Sequence, residues 1–513
     1  MKFIQSFLKR FTSYVGEYGK SNLPLLLLVV GCVFMFLPSM FPDFKVLYVL
    51  GVWIWPFCFL YYCRLSEHRF SQAILYIFLA VGLCVRFYGV LGVGLEKECL
   101  VFTALQACLF WVPFTWDVRY CVKEAPFVNT LVFPTVYGTL NLVFSACDLI
   151  PLNNLSYAQY DNRAIFQVLS VVGEFGLTFL ITFVGSVAVY VIMHWNRDGA
   201  KRIGLGMLLA LVAMHAWGIF QMAHDESSDT VRIAQAIGPK VDQHKDGSWE
   251  TLSYERYLRS FNTLAESAYR ERAQMLVFSE EAFAVADSSE GDFIANASEY
   301  ARKFNMPILL SLGVYDTDNS REGLFQNKVV LINNQGKILY EYNKHKPVPL
   351  VESFDLDVGR EKLPAVPLEI GGKAHFVSFA ICYDGNFSDF LRPLDPKVQL
   401  LFIPSWAWDG INDFHYRSLA VRAVEHGVNL VVTSYDGVSL VSDEYGREVN
   451  RRPFKDVGYD RLFISDVPTS AHETVYAKNG GFLNYVYLIL SLMFIGLGAR
   501  RTKDGSIEEQ AGA

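Results

Sequence analysis

HFVSFAICYDGNF, residues 375–387, is the stretch on which the fold of this chain turns. The run His375–Ile381 is apolar and rich in aromatic and β-branched residues, the composition of a buried strand. It runs straight into Cys382, the one thiol outside the first 150 residues. The other eight cysteines, Cys32, Cys58, Cys63, Cys84, Cys99, Cys108, Cys121 and Cys147, lie in or beside apolar segments. No CxxC or Cys/His spacing suggests a disulfide framework or a structural metal, so no cofactor and no metal are expected. Cys382 is therefore either a small core residue or a nucleophile.

Outward from Cys382, short apolar runs alternate with amphipathic stretches between residues 230 and 467. Strands are expected at Val231–Ile237, Gln274–Ser279, Ile308–Leu312, Lys328–Ile332, Ile338–Tyr342, Leu400–Pro404, Leu430–Ser434 and Ser439–Ser442. Helices are expected at Thr251–Arg272, Gly291–Phe304 and His415–His426. This spacing predicts an α/β domain with a largely buried sheet. No GxGxxG, GxxxxGK[ST] or GxSxG occurs, which removes the usual support for dinucleotide, P-loop and serine-hydrolase functions.

Two further strand ends carry reactive groups. Gln274–Ser279 runs into Glu280 within MLVFSEEAF (275–283), and Ile338–Tyr342 runs into Lys344 within YEYNKHKPVPLVE (340–352). Strand exits of α/β sheets converge on ligand crevices. A thiol with its ordinary pKa near 8.5 carries little thiolate at neutral pH, so a neighbouring carboxylate is needed to take its proton. An ammonium suits a tetrahedral oxyanion. Each residue alone has a plainer explanation: a turn acid, a solvated lysine, a core cysteine. Together they predict a catalytic set of Glu280, Lys344 and Cys382.

The rest of the chain is of another kind. The 513 residues are 52% hydrophobic and only 19% charged, and the mean hydropathy is +0.23. A net charge of −7 argues against a nucleic-acid partner. Spans of roughly 20 residues are read at Leu23–Phe41, Leu47–Cys63, Ala73–Val93, Cys99–Trp116, Pro126–Ala146, Gln167–Trp195 and Ile203–Gln221, with an eighth at Phe482–Gly498. The fourth and fifth are the weakest, one short and one carrying Pro134 and Asn141. The first is read as retained rather than as a cleaved signal peptide. With the N-terminus in the cytoplasm, the cytoplasmic segments hold fourteen Lys and Arg, among them Arg64, Arg119 and Arg197. The short outer loops hold three, Lys45, Lys97 and Arg163, a positive-inside asymmetry that places residues 222–480 outside. Three parts are expected: a membrane domain of about seven spans (1–222), a catalytic domain (223–470), and a last span with a cytoplasmic tail (471–513). Arg86 and Glu174 are ionisable groups inside spans; they either snorkel to the outer surface or serve function, and Arg86 could meet a lipid phosphate.

VFSEEAF (277–283), YNK with Glu352 eight residues after the lysine, and ICYD (381–384) resemble the Glu–Lys–Cys motifs of the nitrilase, or carbon–nitrogen hydrolase, superfamily. IPSWAWDG and HYRSLAVRAVEHGVNLVVTSYDGVS, further on, follow the same pattern. The membrane layout, SYAQYD (156–161) and TVYAKNGG before the last span resemble the apolipoprotein N-acyltransferases of that superfamily over nearly the whole chain. The resemblance implies a polytopic helical membrane domain joined to an αββα sandwich in the periplasm, in the bacterial inner membrane. It implies that Glu280 is the general base, with Glu281 the lesser candidate. Lys344 would stabilise the oxyanion, and Cys382 would carry an acyl thioester. Glu352, Asp384 and the backbone N–H of Tyr383 would support them. The donor would be a phospholipid and the acceptor the N-terminal amine of a diacylglyceryl-cysteine lipoprotein, in a ping-pong scheme. A monomer is expected.

This chain departs from the family pattern at Lys346, where a His is common, at Asp384, where a Glu is frequent, and at Ser405–Trp406, where Asn-Asp is usual. The acidic and Arg residues of the family's fifth span are not evident in TLNLVFSACDLIP. A membrane-tethered amidase using the same triad is the alternative activity; a flap of Phe354, Trp406 and Trp408 that excludes water favours the transferase. A silent binding protein is the third reading, and retention of all three triad residue types argues against it.

Overall fold

The computed structural model describes residues 22–36, 44–66, 70–91, 96–120, 126–150, 154–223, 229–241, 252–317, 324–349, 351–352, 356–360, 362–479 and 481–494. The membrane part comprises α1 (Asn22–Phe36), α2 (Lys45–Leu65), α3 (Ser71–Arg86), α4 (Glu96–Tyr120), α5 (Val132–Ala146), a short α6 (Arg163–Phe166), α7 (Leu169–Met193) and α8 (Asp198–Ala223). Among the described residues, five helical stretches can cross a membrane by length and composition: Lys45–Leu65, Lys97–Arg119, Phe127–Ala146, Leu169–Met193 and Asp198–Ala223. The two spans expected to be weakest thus qualify. The expected first, third and eighth are apolar helices of under 18 residues among the described positions, at Asn22–Phe36, Ser71–Arg86 and Phe482–Phe494. Leu205, Leu208, Leu209, Val212, Ile219 and Phe220 stand exposed on α8, an arrangement that suits a hydrocarbon solvent. The protein is a multi-pass membrane protein.

The α/β part alternates β1 (Thr230–Ile237), α9 (Tyr254–Arg270), β2 (Met275–Phe278), β3 (Phe283–Ala286), α10 (Asp287–Phe304), β4 (Ile308–Tyr315), β5 (Gln326–Ile332) and β6 (Ile338–Asn343). It continues with β7 (Val366–Ile370), β8 (Lys373–Phe379), α11 (Ser388–Leu391), β9 (Leu400–Trp406), α12 (Asn412–His426), β10 (Asn429–Tyr435), β11 (Val438–Ser442) and β12 (Glu448–Pro453). The short α13 (Phe454–Val457), β13 (Arg461–Pro468) and α14 (Val475–Asn479) follow, before α15 (Phe482–Phe494). One sheet has the order β13-β1-β2-β4-β5-β6 with β3 beside β4; the other has β12-β11-β10-β9-β8-β7.

Alternation along the strands sorts the core. Val231, Ile233, Met275 and Val277 face the second sheet, packing with Val377, Phe379, Phe402 and Val431. Their neighbours Ala234, Ala236, Leu276 and Phe278 face α9 and α10. The other face of the second sheet, through Leu401, Ile403 and Val432, packs on α12 and continues into Leu155, Tyr157, Tyr160 and Phe166 of the membrane part. The layers are therefore helix, sheet, sheet, helix, with α12 pressed on the membrane bundle.

Polar contacts hold the sandwich to the ends of the spans. Lys45 at the start of α2 and Arg417 of α12 share Asp161. Trp408 Nε1 donates to the Gly89 carbonyl after α3, 2.9 Å away. Lys346 pairs with Asp148 after α5, and Arg447 reaches the Met222 carbonyl near the end of α8, 3.2 Å away. Arg64 belongs to none of these contacts. Counted among the charges of the cytoplasmic segments, it has its side chain buried in the last turn of α2, with bonds of 2.9 Å to both carboxylate oxygens of Asp117 on α4.

Candidate active site

Three strand exits place the expected set. β2 delivers Glu280, β6 delivers Lys344 and β8 delivers Cys382. Lys344 Nζ lies 2.7 Å from Glu280 Oε1 and 2.8 Å from Glu352 Oε1, and its side chain is 1% exposed. Glu352 is held in turn by the Val348 N–H at 2.7 Å. Burial works against the charge on Lys344, but the two carboxylates outweigh it and push its pKa well above the ordinary value. The lysine is a fixed cation. Burial raises the Glu280 pKa, with Lys344 acting in the opposite sense. Asn327, which the sequence reading passed over, donates at 2.8 Å to both Glu280 Oε1 and Glu281 Oε1. A lone Asn inside a strand carries no local signal of such a role.

Glu281 sits in a left-handed backbone conformation (φ 46°). Burial, followed by the charges of Glu280 and Glu352, drives its pKa well up, so it is poorly suited to be the standing base. Carboxylate oxygens of Glu280, Glu281 and Glu352 lie within 4.8 Å of one another, close enough to hold a cation. The Lys344 ammonium already bridges two of them.

Cys382 is also left-handed, at φ 44°, an uncommon and strained state for a residue with a side chain. It begins a tight 3-10 turn, Cys382–Asn386. The N–H groups of the first turn of such a helix lack partners within it, which leaves that of Tyr383 free in principle to meet an oxyanion. The thiol is buried; it lies 3.6 Å from the Trp406 carbonyl and 3.8 Å from His415 Nε2. Burial raises its pKa well above the ordinary value; Glu280 adds to this and Lys344 opposes it. The thiolate must therefore be generated by proton transfer.

Asp384 joins two of the exits. Its carboxylate accepts the Tyr342 hydroxyl (2.8 Å) and the N–H groups of Lys346 (2.7 Å), His345 (3.1 Å) and Ile381 (3.2 Å). Burial raises its pKa to about 6, against the pull of the Lys344 charge and these bonds. The shorter acid in this chain thus still ties the lysine loop to the cysteine turn. The Tyr383 hydroxyl donates to the Asp148 carbonyl (3.0 Å) and accepts from the Ile150 N–H (3.3 Å), anchoring the turn to the membrane part.

An apolar cavity of about 100 Å³ opens onto Cys382 and Tyr383. Val90, Leu91, Phe102, Leu149 and Ile150 line it from the membrane part, and Val348, Pro349, Val351, Trp408, Ile411, Phe414 and His415 from the sandwich. Of the three weaker lipid contacts expected, only Trp408 lines this cavity. Trp406 packs its ring on Tyr435 at 4.7 Å, and Arg86 lies over the rings of Tyr48 and Phe87 at 5.7 and 5.3 Å. Phe354 lies outside the described residues. Glu174 does not snorkel: it is buried and paired with Arg422 of α12 at 3.0 Å.

A buried Glu–Lys–Cys constellation at the strand exits of a two-sheet sandwich defines a carbon–nitrogen hydrolase-type site, and the profile of that family, Carbon-nitrogen hydrolase, matches residues 243–446. The apolipoprotein N-acyltransferase of Rickettsia prowazekii is 24% identical over 413 residues, 76% of this chain and 74% of its own length. That of Rhodopseudomonas palustris is 26% identical over 440 residues, 79% of each chain. Over about three quarters of its length the chain is similar to apolipoprotein N-acyltransferases, and its residues 243–446 carry the carbon–nitrogen hydrolase match. Among solved structures, an amidase from Nesterenkonia sp. aligns with 49% of this chain and 93% of its own, at 20% identity and a TM-score of 0.38.

Proposed function

We propose that the protein moves a fatty acyl chain from a phospholipid, through a thioester on Cys382, to the N-terminal amine of a diacylglyceryl-cysteine lipoprotein. Glu280 takes the thiol proton as sulfur attacks the ester carbon. The oxyanion is met by Lys344 and the Tyr383 N–H. The ester C–O bond breaks, and the proton passes from Glu280 to the departing lysophospholipid alkoxide. The acceptor amine then attacks the thioester, giving an amide and free thiol. Donor and acceptor are both lipids and use the same cavity in turn, a ping-pong order.

The observation that carries this reading is the cavity at Cys382: it is apolar, and five of its fourteen lining residues come from the membrane part. A water-soluble amide needs no such wall, whereas an acyl chain leaving a bilayer does. An apolar wall also protects a thioester from hydrolysis. In this reading residues 1–222 anchor the enzyme, 223–470 carry the chemistry, and 471–513 return the chain to the membrane. The sandwich faces the periplasm of a bacterial inner membrane, and the active unit is a monomer.

The test is intact-mass analysis after incubation with phospholipid alone. An added acyl mass that neutral hydroxylamine removes is expected; no adduct under single-turnover conditions, with amide hydrolysis instead, would favour the amidase. A reporter active only in the cytoplasm should be silent when fused after Asp225; activity there would reverse the assigned side.

A further inference from the structure

Beside the thiol lies a base that the Glu–Lys–Cys set leaves unused. His415, in the first turn of α12, is 3% exposed. Its Nε2 lies 3.8 Å from Cys382 Sγ and 3.3 Å from Ser405 Oγ. Ser405 Oγ is also 3.2 Å from the Ile403 carbonyl. The hydroxyl can therefore serve either protonation state of the ring. It donates to Nε2 while the ring is neutral. When Nε2 gains a proton, the hydroxyl turns to the Ile403 carbonyl and accepts from Nε2 instead.

The placement divides the labour. His415 lines the apolar cavity together with Cys382, and neither Glu280 nor Lys344 is among the lining residues. An amine arriving through the cavity meets the imidazole before the carboxylate, whose Oε1 is already bonded to Lys344 and Asn327.

We propose that His415, steadied by Ser405, is the proton acceptor of the second half-reaction, taking the proton of the incoming amine as it attacks the Cys382 thioester. This rests on the acyl-transfer reading above. The amine nitrogen forms a bond to the thioester carbon, and one N–H proton passes to Nε2. The C–S bond breaks, the electron pair stays on sulfur, and Nε2 returns its proton to the thiolate. The products are the amide and the free thiol. Burial first, and the Lys344 charge second, hold the His415 pKa down to about 4, so the ring is neutral and ready to accept at neutral pH. The negative charge that develops beside Lys344 offsets the second of these causes and strengthens the base when it is needed.

The experiment separates nucleophiles by whether they bring a proton that must be removed. Full-length wild type and His415→Gln are first acylated with phosphatidylcholine vesicles. Each acyl-enzyme is then offered a synthetic diacylglyceryl-cysteine peptide or, separately, 2-mercaptoethanol at a pH where its thiolate is present. The variant should acylate within about threefold of wild type and transfer to the amine about 10²-fold more slowly, a typical acid–base contribution. Its reaction with the thiolate should stay within about threefold. Equal loss with both nucleophiles, loss of acylation, or an unchanged amine rate would each overturn the assignment. If His415→Gln fails to fold, Ser405→Ala keeps the ring and removes the hydroxyl. It should slow the amine step alone, by about tenfold, and unchanged rates would overturn the relay. Absence of an acyl-enzyme in the wild type would count against the acyl-transfer reading itself.

Discussion

Two buried clusters in this molecule share one composition, a cation between two glutamates. In the first, Lys344 bridges Glu280 and Glu352. In the second, Arg422 lies 3.0 Å from Glu174 and 2.9 Å from Glu425. Their surroundings differ. The first adjoins a thiol whose other side opens on a cavity, and the second is wrapped by further polar side chains. Asn154 and Tyr157 donate to Glu174 at 2.9 and 2.8 Å, the Glu174 N–H donates to Glu425 at 2.8 Å, and Ser388 bonds both Glu174 and Arg422. Gly173 makes this approach possible. At φ 68° it kinks α7, and an added Cβ would come within 2.2 Å of the Tyr476 ring. Burial, opposed by Arg422, pushes the Glu425 pKa up to about 8. The same three groups make a catalytic device where a reactive atom and an opening adjoin them. In the second cluster they join the membrane helices to the sandwich.

The contrast can be broken by substitution. Cys382→Ala should reduce turnover by at least about 10⁴-fold, as loss of a nucleophile does, with folding intact by thermal melting. Lys344→Met and Glu280→Gln should each cost about 10²–10³ in single-turnover acylation. Lys344 also pairs with both carboxylates. Its position between two buried carboxylates indicates a lowered melting temperature as well, because those acids lose their counter-charge. A fully active, folded Lys344→Met would remove the lysine from the mechanism.

Arg422→Met addresses the second cluster. Breaking a buried pair from one side costs about 3–5 kcal/mol. Acylation per folded molecule should remain within about threefold, and a folded variant that has lost acylation would show that the cluster acts in chemistry. A smaller effect is expected with acid. Burial holds His426 to about 3 and His415 to about 4, below their ordinary 6.5. A depressed pKa contributes stability that is present above about 6.5 and lost as pH falls toward the folded value. The melting temperature should therefore fall from pH 6.5 toward pH 4, and His426→Gln should flatten that slope by on the order of 1–3 kcal/mol. An identical slope would place the acid sensitivity elsewhere. Smallest of all, Glu281→Gln should keep acylation within about threefold, because burial already favours its protonated form; a loss equal to that of Glu280→Gln would make Glu281 the base.

Much of this was legible in the residues. Strand periodicity is local, so Glu280, Lys344 and Cys382 could be placed at strand exits from the pattern alone. Four strands were missed: β3 and β7 have only four and five residues, β12, EVNRRP, is mostly charged or polar, and β13, RLFISDVP, breaks its apolar run with Ser465 and Asp466. Asn327 and His415 were invisible as site residues because each is one ordinary polar residue in an apolar element, and only packing aims it at a carboxylate or a thiol.

Sequence by itself determined the class of elements, the presence of spans and the identity of the reactive side chains, because hydrophobic period and residue chemistry are properties of short stretches. Tertiary structure alone decided what those side chains face. Glu174 and Arg422 lie 248 positions apart in the chain, and Lys346 and Asp148 lie 198 apart. No local pattern encodes such pairs. The first forms because burying α12 against the membrane helices brings together charges that cannot stay unpaired out of water.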